Sequence, residues 1–110
     1  MCGIFGVASK EINEAKVQEA NSLLEHRGPD SSGTYIDRSL GVFIGFSRLS
    51  IQDLSEAGNQ PLQTSDDRVS LTFNGEIYNF KDLRVLLIEQ GYEFKSQSDS
   101  EVILAGYVLW

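Results

Sequence analysis

Cysteine occurs once in this chain of 110 residues, at position 2, directly after the initiator methionine. If Met1 is removed, Cys2 carries both a thiol and a free α-amine, so that a nucleophile and a base for it stand on one residue. In unperturbed peptides the amine has a pKa of about 8 and the thiol of about 8.5, which permits proton exchange between them near neutral pH. Alone, Cys2 is better explained as a small buried residue at the start of a strand, since free cysteines are usually buried.

The Asn74-Gly75 pair is the second group that could serve a reaction at a thiol. A side-chain amide and the backbone N–H of a glycine can both donate to a developing oxyanion, and glycine permits close approach. Without context, the pair is better explained as a two-residue hairpin turn, for which Asn-Gly is a strong signal. Both interpretations stay open at the level of the sequence.

Arg48 and Asp99 are candidates for binding the charged ends of a substrate. The planar guanidinium of Arg48 suits a carboxylate and the carboxylate of Asp99 suits an ammonium group, so the two together fit an α-amino acid. Arg48 alone could be a solvated strand end, and Asp99 alone is better explained as an acidic residue favoured at a helix N-terminus. Together, the thiol, the amide pair and the two charges supply the parts of one acyl-transfer reaction.

The elements that must position these residues follow from periodicity and from capping and turn signals. Residues 1–7 form an apolar, glycine-interrupted stretch typical of a short buried strand, and residues 40–47 are almost continuously apolar, as expected of a strand covered on both faces. Asn13 and Asn79 are expected to cap helices, and Gly91 to end the second of them. The further predicted elements are helices over residues 14–26, 80–90 and 101–110 and strands over residues 33–37, 69–73 and 92–95.

Composition and charge limit the classes of function. Nine basic and sixteen acidic residues give a net charge of −7, which disfavours nucleic acid or an anionic membrane as a partner. No apolar run approaches the roughly 20 residues that span a bilayer, and the N-terminus lacks the pattern of a secretory signal. A single cysteine excludes an internal disulfide, and no Cys/His spacing suggests a metal site. These features are typical of a cytoplasmic, acidic, mixed α/β domain.

The candidate residues all lie within six ordered blocks of the sequence. The blocks are Met1-Cys2-Gly3-Ile4-Phe5-Gly6, His26-Arg27-Gly28-Pro29-Asp30, Arg48-Leu49-Ser50-Ile51, Gln60-Pro61, Asn74-Gly75-Glu76-Ile77-Tyr78-Asn79 and Ser98-Asp99-Ser100-Glu101-Val102-Ile103-Leu104. This pattern closely resembles the N-terminal glutaminase domain of glutamine-hydrolysing asparagine synthetases, which are class II (N-terminal nucleophile, Ntn) glutamine amidotransferases. The resemblance covers essentially the whole chain. The first block is shared with other enzymes of the class, whereas the blocks beginning at Arg48 and Asn74 are more specific to the asparagine synthetase type.

The resemblance implies a role for each matching position. Cys2 would attack the side-chain carboxamide of glutamine, with its own freed amine assisting proton transfer, while Asn74 and Gly75 stabilise the oxyanion. Hydrolysis of the resulting thioester would give glutamate and release ammonia. The residues implied to bind the glutamine are Arg48 at its α-carboxylate, Asp99 with Glu76 at its α-amine, and Leu49, Ser50 and Ile51 next to Arg48. The His26-to-Asp30 block ends a predicted helix, and its residues receive no direct chemical role.

The resemblance also implies an α+β fold with Ntn-hydrolase-like stacked antiparallel β-sheets flanked by helices. Residues 1–110 would be the N-terminal portion of a type 2 glutamine amidotransferase domain, incomplete at the C-terminus because family members continue with further strands. In the family, the ammonia passes to a synthetase domain, normally in the same chain, that uses ATP and Mg²⁺ to amidate aspartate. That domain is absent from these residues. The glutaminase half is expected to need no cofactor, and the sequence allows an oligomer.

Two other functions are consistent with the sequence. The chain could be a non-catalytic fragment or structural module, because Cys2 has no free amine while Met1 is attached. It could also be the glutaminase of a sugar-phosphate or phosphoribosyl amidotransferase, which performs the same half-reaction, although the blocks at Arg48 and Asn74 favour the asparagine synthetase type. The sequence leaves the acceptor of the ammonia open.

Overall fold

The computed structural model describes residues 2–50 and 55–110, and these form antiparallel sheets and helices, which confirms the predicted α+β class. The helices are α1 (Glu14–Ser22), α2 (Phe80–Glu89) and α3 (Ser100–Leu109), with a short 3-10 helix at Glu56–Gly58. The strands are β1 (Gly3–Ala8), β2 (Ser31–Asp37), β3 (Val42–Arg48), β4 (Leu62–Gln63) and β5 (Ser70–Leu71). Among the described residues, no helix is long and apolar enough to cross a membrane.

Strands β1, β3 and β2 form an antiparallel sheet with β3 in the middle. The β1–β3 register runs from Gly3 opposite Ser47 to Ala8 opposite Val42, and β2 pairs with β3 over its whole length. Phe43 is fully buried, and Phe46 almost so, in the apolar run that predicted a covered strand. The antiparallel pairing of β1 with β3 brings the beginning of the chain to the C-terminal end of β3.

Helix α1 begins as predicted but ends earlier. The Oδ1 atom of Asn13 accepts a hydrogen bond from the Lys16 N–H at 3.1 Å, which confirms the predicted cap. The helix stops at Ser22 instead of continuing to residue 26, and residues 23–27 form turns with bonds such as Gly28 N–H to Glu25 C=O. The chain has to turn here because Gly28 packs directly on β3, where an added Cβ would lie 2.3 Å from the Ser47 carbonyl oxygen.

The second sheet is a short hairpin that the sequence predicted only in part. Strand β5 covers Ser70–Leu71 instead of residues 69–73, and its partner β4 (Leu62–Gln63) was not predicted. The two-stranded pairing turns at residues 65–68, where Asp67 has a φ of 55°. Asn74-Gly75 therefore lies beyond the hairpin and does not form its turn, so the hairpin interpretation of this pair was wrong.

Helices α2 and α3 pack around a small apolar cluster. Leu87, Val102 and Ala105 are buried at its centre, with Phe80 and Leu83 against them, which confirms the predicted face of α2. Gly91 ends α2 with a φ of 94°, as predicted. Asn79 occupies the N-cap position of α2 but makes no side-chain capping bond, so its predicted capping interaction is absent.

Residues 92–95 do not form the predicted strand. The rings of Tyr92 and Phe94 instead contact each other edge to face, 4.8 Å between centroids, and pack on the cluster between α2 and α3. The guanidinium of Arg84 lies 4.0 Å from the centroid of the Phe94 ring. The alternating aromatic pattern that suggested a strand here reflects packing against helices instead of pairing in a ladder.

Candidate active site

A pocket of about 90 Å³ lies where the start of β1, the end of β3, the segment after β5 and the start of α3 meet. Residues from parts of the chain that are far apart in sequence line it, which no local pattern could ensure. Seven of the nine residues predicted to form the site line this pocket: Cys2, Arg48, Leu49, Asn74, Gly75, Glu76 and Asp99. The structure therefore brings the predicted thiol, amide pair and charged groups together.

Cys2 precedes β1 and is partly exposed at the pocket. Because Gly3 pairs with Ser47, the residue before Gly3 comes to lie beside the residues that follow Ser47. The Cys2 Sγ accepts a hydrogen bond from the Leu49 N–H at 3.3 Å and lies 3.5 Å from the Leu49 carbonyl oxygen. The thiol is thus held at the end of the sheet by the backbone of the neighbouring strand.

Two side chains donate to the backbone carbonyl of Cys2. The Asn74 Nδ2 donates to it at 2.9 Å and the Arg27 Nε at 3.2 Å. The amide nitrogen of Asn74 carries two hydrogens, so one can bind Cys2 while the other is directed at a ligand. Asn74 is thereby held beside the residue that carries the sulfur, with one N–H left for a ligand oxygen.

Arg48 ends β3 and is only 7 % exposed, which rules out the alternative of a solvated strand end. Its Nη1 donates to the Ser55 carbonyl oxygen at 2.8 Å and to the Asn59 Oδ1 at 2.6 Å. Asn59 is itself held by the Ser31 hydroxyl at 2.9 Å. These bonds fix the guanidinium at the pocket as a buried positive charge, which suits an anionic ligand group.

Asp99 occupies the N-cap position of α3 but makes no capping bond to that helix. Its side chain is 7 % exposed, and its Oδ2 accepts the Ile77 N–H at 2.8 Å. The carboxylate thus holds the segment that carries Asn74, Gly75 and Glu76 against the start of α3. A carboxylate has about four acceptor positions, so Asp99 can also accept from a ligand ammonium group in the pocket.

Two predicted residues lie outside this pocket lining or outside the described part of the chain. The Ser50 N–H donates to the Asp30 Oδ2 at 2.7 Å, and Ser50 is not among the pocket residues. Its contact with a substrate stays a prediction. Ile51 lies outside the described residues.

The sequence interpretation gave no role to several residues that the structure places at the site. Arg27, from the block that was assigned no chemistry, contacts Cys2, and Asp30 from the same block holds Ser50. Gln60 and Ser100 line the pocket as buried polar side chains. The sequence offered no signal for these contacts, because they join residues that are far apart in the chain.

A family model of the glutamine amidotransferase domain matches residues 1–110. The chain belongs to this family. The resemblance predicted from the six sequence blocks is thereby confirmed, and this glutamine amidotransferase domain has the α+β architecture that was expected of it.

The domain is similar to the N-terminal parts of several longer proteins. It is 44 % identical over 113 residues to asparagine synthetase [glutamine-hydrolyzing] 1 of Bacillus subtilis, with 97 % of the chain covered. It is 41 % identical over 111 residues to asparagine synthetase B [glutamine-hydrolyzing] of Escherichia coli, with 97 % covered. The aligned part makes up 17 % of the first relative and 19 % of the second. The chain therefore spans less than a fifth of the length of these relatives.

Proposed function

We propose that this domain hydrolyses L-glutamine to glutamate and ammonia, with Cys2 as the nucleophile once Met1 has been removed. The observation that carries the proposal is the single pocket that joins Cys2, Arg48, Asn74, Gly75 and Asp99. With Glu76, which also lines it, the pocket combines a nucleophile, neutral hydrogen-bond donors, one positive charge and two carboxylates. Glutamine at neutral pH presents a carboxamide, a carboxylate and an ammonium group, which match this set.

The reaction begins when the Cys2 sulfur attacks the carboxamide carbon and its proton passes to the freed α-amine of the same residue. The carbonyl oxygen becomes an oxyanion, which the Asn74 amide and the Gly75 N–H stabilise. Collapse of this intermediate breaks the C–N bond, and the leaving nitrogen takes up the proton and departs as ammonia. Water then attacks the thioester, which releases glutamate and returns the thiol.

The charged groups of the pocket orient the substrate for this attack. Arg48 binds the α-carboxylate, and Asp99 with Glu76 binds the α-ammonium group, so that the side-chain carboxamide is directed at Cys2. Orientation of this kind converts an encounter between molecules into an effectively intramolecular reaction. Leu49 anchors the sulfur through its backbone N–H, and this bond holds the nucleophile on the same side of the pocket as Arg48.

The ammonia is proposed to serve an ATP-dependent synthetase domain in the same polypeptide. This is supported by the relatives, which are named glutamine-hydrolysing asparagine synthetases and are several times longer than the matched region. ATP and Mg²⁺ belong to that domain in the proposal. In the full-length protein, Cys2→Ala should abolish glutamine-dependent amidation and leave amidation with added ammonia intact. Loss of both activities would contradict separate sites.

The glutaminase step is tested by glutamate release from the chain with Met1 removed. We expect turnover from this form, and none from Cys2→Ala or from the same chain with Met1 retained, because the retained methionine ties up the amine in a peptide bond. Equal glutamate release from the processed chain and from Cys2→Ala would refute the proposal.

The alternative of a non-catalytic module is tested with a glutamine-like electrophile. If the pocket binds glutamine, the electrophile should attach one covalent label per chain, at Cys2, and added glutamine should slow the labelling. If the chain with Met1 removed incorporates no label, the alternative of a structural module is supported instead.

A further inference from the structure

Gln60 is a buried residue of the pocket whose side chain binds the backbone of another segment twice. It is 8 % exposed. Its Oε1 accepts the Phe73 N–H at 2.6 Å, and its Nε2 donates to the Phe73 carbonyl oxygen at 3.2 Å. The same Nε2 lies 3.4 Å from the Ser100 Oγ at the start of α3. One amide thus joins the segment before Asn74-Gly75 to two other parts of the site.

The two bonds between the Gln60 side chain and the Phe73 backbone extend the β4–β5 ladder by one hydrogen-bonded pair. Hydrogen-bonded pairs alternate along an antiparallel ladder. Thr64 N–H donates to the Val69 carbonyl at 3.1 Å, and Leu62 pairs with Leu71, so the next hydrogen-bonded pair in this register is Gln60 opposite Phe73. At that position the side-chain amide of Gln60 makes both bonds that its backbone would make in a regular strand.

The backbone of Gln60 is directed elsewhere. A Cβ added at Gly33 in β2 would lie 2.0 Å from the Gln60 carbonyl oxygen, so this carbonyl packs directly on the three-stranded sheet. The backbone of Gln60 therefore touches the sheet that carries Cys2, while its side chain holds Phe73. Gln60 links the two regions whose separation determines the distance between the nucleophile and its oxyanion donors.

Phe73 transmits this position to both predicted donors. It directly precedes Asn74 in the chain, and its ring packs on Gly75, where an added Cβ would lie 2.7 Å from the ring. Since Asn74 also donates to the Cys2 carbonyl, a displacement of Phe73 would change the geometry of both donors relative to Cys2.

We infer that Gln60 is a positioning residue that sets the Asn74 and Gly75 donors against Cys2 by replacing a backbone partner of Phe73 with its own side-chain amide. This inference deepens the proposed glutaminase function and rests on it. Gln60 acts through Phe73 and is not expected to touch the reacting atoms. Its loss should lower the rate of the chemical step more than it weakens glutamine binding.

The test compares Gln60→Met with Gln63→Met in the full chain with Met1 removed. Methionine keeps the length of the side chain but makes neither bond to Phe73. Gln63 is the matched control, because it lies on the same hairpin, is exposed, and bonds across the pair to the Ser70 Oγ at 3.3 Å. We expect Gln60→Met to lower kcat about 10–100-fold with KM changed less than about threefold, and Gln63→Met to leave both unchanged.

A double-mutant cycle separates positioning from a general loss of stability. If Gln60 positions both donors, then adding Gln60→Met to Asn74→Ala should lower kcat by a smaller factor than Gln60→Met lowers it in the wild-type chain, since one of the two donors is already gone. Full additivity of the two losses would overturn the inference. The inference would also be overturned if Gln60→Met had the same kcat as an active wild-type chain and an active Gln63→Met variant.

The variant Gln60→Glu provides a second measurement if Gln60→Met does not fold. Its ionised carboxylate can accept from the Phe73 N–H but cannot donate to the Phe73 carbonyl, whereas the protonated acid can do both. Its kcat relative to wild type should therefore rise as the pH falls. A ratio that is flat with pH and close to one would count against the inference.

The inference can also be judged apart from the proposed function. A wild-type chain that releases no glutamate would defeat the proposed function. In that case NMR order parameters still decide the role of Gln60, because Gln60→Met should lower them at Asn74 and Gly75 while Gln63→Met does not. Unchanged order parameters at both residues would overturn the positioning role.

Discussion

The pocket is bordered by two regions that are held in place by different kinds of bond. The three-stranded sheet presents Cys2 and Arg48 through ladders of six and seven paired residues. The segment between β5 and α2 presents Asn74 and Gly75, and the ladder that precedes it has only two pairs. This segment is held in place by hydrogen bonds that involve the side chains of Gln60, Asn74 and Asp99.

This difference predicts how each region responds to substitution. A backbone ladder survives most changes of side chain, so the sheet should be sensitive mainly to loss of its buried apolar residues. A segment held by side-chain bonds loses its position when one polar group is removed. Truncation of buried apolar residues in the sheet should therefore appear as lost stability, and removal of polar groups from the segment as lost activity.

The largest expected effect is that of Phe43→Ala in the sheet. Phe43 is fully buried and its ring lies 5.9 Å from that of Phe5. Its truncation should lower the free energy of unfolding by about 3–5 kcal/mol, measured by urea denaturation. Tyr78→Ala is the matched control in the other region, since Tyr78 is 92 % exposed and should change stability by less than about 0.5 kcal/mol. Equal losses for the two variants would break the comparison.

Asn74→Ala should have the next largest effect, on activity. Loss of one oxyanion donor is expected to reduce kcat for glutamine about 10²–10³-fold, or roughly 3–4 kcal/mol of transition-state stabilisation. Stability should change little because Asn74 is exposed. Asn79→Ala serves as control, since Asn79 is also exposed and makes no side-chain capping bond. A large loss of stability with kcat preserved would assign Asn74 to structure instead.

Asp99→Asn removes a charge but keeps a hydrogen-bond acceptor. The asparagine oxygen can still accept the Ile77 N–H, so the segment should stay in place, while the ammonium group of glutamine loses its ionic partner. We expect kcat/KM to fall about 10–100-fold, mostly through KM, which corresponds to about 1.5–3 kcal/mol for a bond to a charged group. Steady-state kinetics beside Asp82→Asn, an exposed aspartate in the first turn of α2, would test this. An unaltered KM would separate Asp99 from substrate binding.

The smallest expected effects are on the pH dependence of stability, and they concern one aspartate in each hairpin. Hydrogen bonds from the Ser39 hydroxyl and then the Leu40 N–H lower the pKa of Asp37, the last residue of β2. The Thr64 hydroxyl and then the Arg68 N–H lower the pKa of Asp66, between β4 and β5. A pKa that is lower in the folded chain stabilises it above the unfolded value of about 4, and this contribution disappears as the pH falls through the folded pKa.

Asp37→Asn and Asp66→Asn should therefore each reduce the loss of stability on acidification from about pH 5 to pH 2. Urea midpoints measured across this range would show it, and Ser39→Ala should resemble Asp37→Asn because it removes the main donor. If Asp37→Asn alone has this effect, the hairpin formed by β4 and β5 opens independently of the sheet. Equal effects would indicate that the two regions unfold together.

Much of the fold could be predicted because its signals are local. The apolar run of β3, the capping side chain of Asn13 and the left-handed position of Gly91 act within a few residues of themselves. The same holds for the residue types of the site. A lone cysteine behind Met1, an Asn-Gly pair and two opposite charges are chemically suggestive whatever the fold, and the order of the blocks indicated the family.

The tertiary structure decided where those residues meet and what holds them. Helix α1 ends early because Gly28 packs on β3. Residues 92–95 do not form a strand because Phe94 packs against α2 and α3 and contacts Arg84. The contact of Arg27 with Cys2 and the pairing of Gln60 with Phe73 join residues 25 and 13 positions apart. Such bonds depend on how whole elements pack, so the sequence named the reacting groups while long-range packing placed the donors beside the thiol.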